Sequence, residues 1–388
     1  QGARTTVTTA AGDYLLPFLP PGDYTVRFTL QGMQTAERKV TLAAARTETM
    51  KVELKAAVAK EVVVTAETVN MTAPIESTEV ATNFRQALIE DLPVARNITS
   101  VVLLAPGANS NGPGGNVVIS GAMSFDSLYL VNGAIVNENL RGQAQGLYIE
   151  DAIQETTVLT GGISAEYGHF TGGVVNMITK SGGNAFKGSF RTSFTNESWT
   201  AKTPFTVEQD DKVNPVFEAT LGGPFWKDRL WFFGAGRYAE TEVIRQTFPG
   251  LARTGDQDAS GNQIPVGTQL APVTYPNGTE QLRLEGKLTF SLTPKHSFVF
   301  SYVDVDDSET NQTGQTIMDL DSLVAERQTP NTLLVANYSG VLTDKLFVEA
   351  QYSKKKFAFL NSGSPYIDDP QQGQYKGTLI LDRARGTR

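Results

Sequence analysis

Few residues of this chain have the type and spacing that chemistry needs. Asp304, Asp306, Asp307 and Glu309 form a dense carboxylate group, and hard cations such as Ca²⁺ are held by oxygen ligands of that kind. The glycine that bends an EF-hand loop is missing, however, and the group falls where a strand gives way to a long polar stretch. It reads as surface acidity. The two histidines, His169 and His296, stand far apart. A lone His makes no metal site, and His169 reads as a packing residue. There is no GxSxG elbow, no Walker loop and no HExxH, and Gly112-Pro113-Gly114-Gly115 lacks the third glycine of a dinucleotide fingerprint. The expectation is a protein that is not an enzyme, with no cofactor and no metal.

Composition narrows the partners. The 388 residues carry a net charge of −8 and a pI near 5.0, which excludes the basic face a nucleic acid would want. Without Cys there is neither disulfide nor thiolate site. Mean hydropathy is −0.21, and no run approaches the ~20 apolar residues of a spanning helix. A membrane β-barrel gives the same profile, because its strands alternate and average out. Gln1 stands mid-pattern and Arg388 follows a strand-like run, so the chain reads as a fragment lacking both ends.

The elements that position whatever site exists centre on Ala152–Asn184. Paired glycines at Gly161–Gly162, Gly172–Gly173 and Gly182–Gly183 flank short β-rich runs at Thr156–Thr160 and Val174–Thr179. Such runs read as strands broken by tight corners, in a small domain built to fit a confined space. Ahead of them, Phe84–Leu92 has a helical pattern that stops before Pro93, and Asn97–Leu104 forms a second short helix. Val117–Ser120 and Ser127–Val131 read as strands, and Asn132-Gly133 is a type I′ hairpin signal.

After Asn184 the rhythm changes to period two. Leu282, Leu284, Gly286, Leu288, Phe290 and Leu292 alternate with Arg283, Glu285, Lys287, Thr289 and Ser291, so one strand face is apolar and the other charged. Phe186–Phe194 and Leu346–Ser353 repeat the pattern. In a soluble sandwich the apolar face is core; in a membrane barrel it meets lipid. Loop lengths decide. Short links at Gly223–Asp228, Thr293–His296 and Thr343–Lys345 alternate with long ones at about 198–214, 243–278 and 307–329, the asymmetry of outer-membrane barrels. Trp226, Trp231, Phe232, Phe233 and Tyr238 fit interfacial girdles or, alternatively, ordinary packing aromatics. Seven or eight strands are legible, short of the roughly 22 that enclose a plugged lumen.

At the other end, residues 1–56 hold two Gly-Asp-Tyr corners and strands at Tyr24–Leu30 and Met50–Leu54, a small β-sandwich. It is either a spacer or a docking module. Residues 57–83 read as an extended linker with one β-branched run, Glu61-Val62-Val63-Val64-Thr65-Ala66.

These elements together resemble a known family. TGGISAEYG…TGGVVNMITKSGGN is similar to the end of the plug of TonB-dependent outer-membrane transporters, above all the Oar-like branch with its carboxypeptidase-regulatory-like domain. The resemblance covers nearly the whole chain. It implies a mainly β architecture: regulatory-like sandwich at 1–56, linker at 57–83, α+β plug at 84–184 and the first strands of an antiparallel barrel at 185–388. It also implies a plug core motif of Gly161, Gly162, Glu166, Tyr167, Gly168, Gly172 and Gly173. Glu61, Val62, Val63, Val64, Thr65 and Ala66 resemble the TonB box, which would add as a strand to a sheet edge of TonB; composition alone favours a last sandwich strand, and position with the resemblance favours the box. Asn132 stands where the family usually has Asp, and Ser120 where many relatives have Arg, which puts an inherited plug–barrel charge pair in doubt. The implied function is energised uptake of an unidentified extracellular ligand into the periplasm, in the outer membrane, with TonB and outer-membrane lipid as partners. The alternative is a secreted, soluble β-rich adhesion or glycan-binding protein.

Overall fold

The computed structural model describes scattered residues between 5 and 54. It then describes residues 80–361 apart from short breaks at 92–96, 140–141, 205–208, 248–249, 253, 259, 294, 313–322 and 344–345. Near the start, β1 (Gly22–Phe28) and β2 (Ala36–Leu42) pair as an antiparallel hairpin. The Tyr14 ring meets Phe28 edge-on, and its hydroxyl donates to the Met50 carbonyl at 2.9 Å. Met50–Leu54, expected as a strand, carries no strand assignment and joins no sheet among the described residues.

The glycine-cornered domain is a five-stranded sheet with a small ribbon beside it. In chain order the elements are β3 (Val80–Arg85), α1 (Gln86–Asp91), α2 (Ile98–Val102), β4 (Ala108–Asn109), β5 (Val118–Ile119), β6 (Leu128–Val131), β7 (Ala134–Ile135), β8 (Ile153–Gly161) and β9 (Val174–Thr179). The main sheet runs β3-β8-β9-β6-β7, with β6 and β9 parallel. The helix expected from Phe84 begins two residues later. Phe84 is buried and pairs with Thr156 of β8, so sheet formation overrides its helical spacing. Asn97 caps α2 as its side chain accepts from the Ser100 N–H at 2.8 Å. Asn132 and Gly133 both have positive φ, 51° and 81°, as the type I′ hairpin requires.

Beyond Asn184 lies the second sheet: β10 (Lys187–Thr195), β11 (Asn214–Trp226), β12 (Leu230–Thr247), β13 (Val273–Thr293), β14 (His296–Gln312), β15 (Val324–Gln328), β16 (Asn331–Thr343) and β17 (Leu346–Phe357). It is antiparallel in the order β10-β11-β12-β13-β14-β16-β17, with β15 on the far end of β14. Tight turns join β11 to β12, β13 to β14 and β16 to β17 at one end, as expected.

Two faces of this sheet differ sharply. Phe190, Leu221, Leu284, Leu288, Phe300 and Tyr352 project outward and remain exposed. Val303, Val305, Leu333 and Val335 point inward and join Val131, Val136, Leu147, Val175 and Met177 of the inner sheet in one buried cluster. A fully buried side chain of this kind contributes about 1.5–3 kcal/mol, and the shared cluster seats the inner domain against this face of the second sheet. The soluble-sandwich alternative requires those leucines and phenylalanines in a core, and they are not there. From Leu282 to Leu292, a tilt of ~40° and ~3.4 Å per residue give a height of about 26 Å. That matches the ~25 Å apolar band of an outer-membrane barrel.

Some expected placements change. Phe233 is buried against Ile149 of the inner domain and is no girdle residue, because odd positions of β12 face inward. Trp226 is exposed, and Phe232 stacks with Phe225 at 4.6 Å. His169 is exposed with φ of 59°, a left-handed corner rather than a packing position. Asp304 and Asp306 lie on the opposite face of β14 from Asp307 and Glu309, since successive residues alternate. No group of carboxylates or histidines fit to hold a metal is found among the described residues.

Candidate functional site

Four inward-facing charged side chains share one rung of the second sheet. Register places Arg191 opposite Glu218, Glu218 opposite Arg237, and Arg237 opposite Arg283. Like charges directly opposite each other destabilise a ladder, so the Arg237–Arg283 pairing needs a counter-charge. The inner domain supplies it through the 3-10 turn Glu150–Ala152. Asp151 lies 2.9 Å from Arg191, and Glu150 lies 3.5 Å from Arg237 and 3.8 Å from Arg283. Glu218 completes the network with Arg237 at 2.9 Å and with Arg191. Three guanidiniums thus meet three carboxylates, two of which belong to the inner domain. Arg283 also donates to the Tyr148 carbonyl at 2.9 Å, with its guanidinium 5.7 Å from the Tyr148 ring centre.

Four residues further along β13, toward the tight turns, a second contact forms. Lys287 is buried and donates to the Thr179 carbonyl at 2.8 Å and to Asn132 Oδ1 at 3.3 Å. Asn132 Oδ1 also accepts from the Thr179 N–H at 3.1 Å, and its Nδ2 donates to Thr179 Oγ1 at 3.0 Å. Asn132 therefore does more than form a hairpin: it joins the β6–β7 turn, the end of β9 and the wall. Glu285 is buried on the same face, and neither carboxylate oxygen has a hydrogen bond among the described residues. Where inner domain passes into wall, Asn184 Oδ1 accepts from Asp228 N at 2.9 Å and Trp231 Nε1 at 2.7 Å.

Ion pairs of partly buried groups cost desolvation as well as gaining attraction. The seam can therefore hold the inner domain in place and still be opened without breaking a covalent bond.

Comparison with known proteins agrees with this geometry. Residues 1–55 match the carboxypeptidase regulatory-like domain, residues 73–175 the TonB-dependent receptor plug domain, and residues 178–281 an outer membrane beta barrel domain. The chain is 32% identical over 330 residues to the TonB-dependent transporter Oar of Myxococcus xanthus, covering 78% of this chain and 30% of that protein. The chain belongs to the TonB-dependent receptor family, on its Oar-like branch. It is also 31% identical over 172 residues to the ferrienterobactin receptor of Escherichia coli K12, covering 38% of this chain and 22% of that one. Both relatives extend well beyond the matched part.

Among solved structures, the outer membrane transporter YddB of E. coli superposes with a TM-score of 0.53 at 15% identity, covering 73% of this chain and 40% of that one. The ferric enterobactin receptor of Pseudomonas aeruginosa gives 0.51 at 20%, covering 72% and 40%. These likenesses show the fold. The inner domain is the receptor's plug, the second sheet its barrel wall, and the barrel lies in the outer membrane.

The plug motif falls at two kinds of position. Gly172 and Gly173 are packed so closely that a Cβ would lie 2.5 Å from Ser127 Oγ at the first and 2.7 Å from the Leu159 carbonyl at the second. Gly161 ends β8, Gly162 has φ of 60°, and Tyr167 packs on the small cluster of Leu128, Leu130, Leu159 and Val174. Glu166 and Gly168 are exposed. The run Glu61–Ala66 lies outside the described residues. Ser120 is exposed and donates to the Thr160 carbonyl at 2.7 Å. The seam residues Glu150, Asp151, Arg191, Arg237 and Arg283 were not singled out from the sequence as a site. The available signal was an arginine at an inward position of three separate period-two strands.

Proposed function

We propose that the receptor imports an extracellular ligand into the periplasm under force from TonB. Glu61–Ala66 serves as the box, and the four-part division at 56, 83 and 184 marks the working units. The observation that carries this reading is the seam: a plug held to a barrel wall by ion pairs and hydrogen bonds that a pull can undo. Val62–Val64 favour the extended conformation that strand addition needs. The relatives' names, a TonB-dependent transporter and a ferrienterobactin receptor, support the same direction of transport.

The test is pulldown of the receptor by the periplasmic domain of TonB, comparing wild type with Val63→Pro. Proline removes a backbone donor from a pairing strand. Binding is expected to fall at least tenfold, and equal capture of both forms would remove the box assignment.

A further inference from the structure

A cavity of about 190 Å³ lies inside the plug, lined by plug residues alone and by no charged side chain. Ser124, Phe125, Tyr129, Gln143, Gln145 and Tyr148 give it its chemistry. Ser124 is over nine-tenths buried, and among the described residues neither its hydroxyl nor Gln145 Oε1 has a hydrogen-bond partner. The phenols of Tyr129 and Tyr148 line the same cavity. A buried polar atom left unpaired costs about 1–3 kcal/mol, so two at one cavity, Ser124 Oγ and Gln145 Oε1, call for an occupant. Both phenols keep their protons at physiological pH: burial pushes Tyr129 up to about 12, and burial with Glu150 beside it raises Tyr148 as well.

The lining is therefore neutral and rich in groups that both donate and accept, set among three aromatic rings. Its volume is below the ~300–1,000 Å³ of pockets that take a drug-sized ligand, so it admits one ring rather than a whole ligand. A space of about 810 Å³ adjoins it through the shared Gln145, between plug residues Glu138 and Asn139 and the long-loop end of the barrel at Thr332 and Phe357.

From the plug cavity's neutral, unpaired hydroxyl and amide groups, we infer that it binds one uncharged sugar ring of the extracellular ligand. This deepens the uptake reading and rests on it. The cavity also touches the seam: Tyr148 lines it and presents its carbonyl and ring to Arg283, two residues before Glu150. An occupied cavity thus fixes the segment that carries the latch.

The experiment uses the whole receptor in detergent and saturation-transfer NMR with methyl α-glucoside, N-acetylglucosamine, gluconate and N-acetylglycinamide as probes. The two neutral sugars are expected to bind, and Ser124→Ala combined with Tyr129→Phe, which keeps the cavity's shape, to weaken them at least tenfold. Lys227→Gln, exposed in the tight turn between β11 and β12, serves as the control and leaves binding unchanged. Absence of transfer to either sugar, a preference for gluconate, binding of the amide alone, or equal affinity in the double variant would each overturn the inference. TonB capture is scored separately, so loss of sugar binding with retained capture refutes the cavity and not the uptake reading.

Discussion

Lys287 gives the sharpest test of the seam. Replacing it by Met keeps the aliphatic stem and removes three donors, which serve the Thr179 carbonyl, Thr179 Oγ1 and Asn132 Oδ1. It also removes the cation beside Glu285, a buried carboxylate with no hydrogen bond among the described residues. Leaving a buried charge uncompensated costs about 3–5 kcal/mol. Lys287 and Glu285 share a strand face without forming a close ion pair, so the low end, about 3 kcal/mol, is appropriate. At about 1.4 kcal/mol per tenfold, that is on the order of 100-fold in the local opening equilibrium. Hydrogen exchange of the Val174–Lys180 segment in the detergent-solubilised receptor reads this directly, because the Thr179 N–H is tied to Asn132. Lys287→Met is expected to lower protection there by about two orders of magnitude and to leave β17 unchanged. Adding Glu285→Leu removes the stranded charge and is expected to restore most of the protection. Unchanged protection in the single variant, or no recovery in the double, would refute the role given to this contact.

Three further outcomes follow from the plug. Gly173→Ala forces a methyl against Ile119 and the Leu159 carbonyl and is expected to cost about 1–3 kcal/mol. Gly168→Ala, with nothing within 4 Å, leaves the calorimetric melt unchanged, and the same melt for the Gly173 and Gly168 variants would contradict the packing. Tyr129, raised from 10.0 to about 12, keeps its proton in the folded state when the unfolded chain has lost it. Its contribution is therefore complete below pH ~10 and lost as pH rises from about 10 to about 12; Tyr129→Phe should flatten that part of the stability curve in urea titrations. Asn184→Ala leaves the Trp231 N–H and the Asp228 amide without their acceptor, at about 1–3 kcal/mol, and should speed proteolytic nicking at the plug–barrel junction.

Which parts of this architecture were legible follows from how far apart the causes lie in the chain. The alternation of Leu282–Leu292 with Arg283–Ser291 is local, as are the tight turns and the Asn132-Gly133 corner, and each is present in the structure. Phe84 was misread because its burial depends on β8, some seventy residues away, which its own window does not contain. The latch was illegible for the same reason on a larger scale. Arg191, Glu218, Arg237 and Arg283 become neighbours only through the registers of four strands, and a slip of one residue would turn a whole side-chain set to the other face. Departures at Asn132 and Ser120 argued against a plug–barrel charge pair, yet the charges meet through Glu150 and Asp151 instead.

On the proposed uptake reading, one consequence of that rung concerns the wall once the plug has shifted. Arg191, Arg237 and Arg283 outnumber Glu218 and the nearby Asp307 on this arc of the wall, and Glu150 with Asp151 carries two negative charges away. The vacated passage therefore greets anions at this height, and dissolved salt, by shielding both sides, eases the stopper's departure.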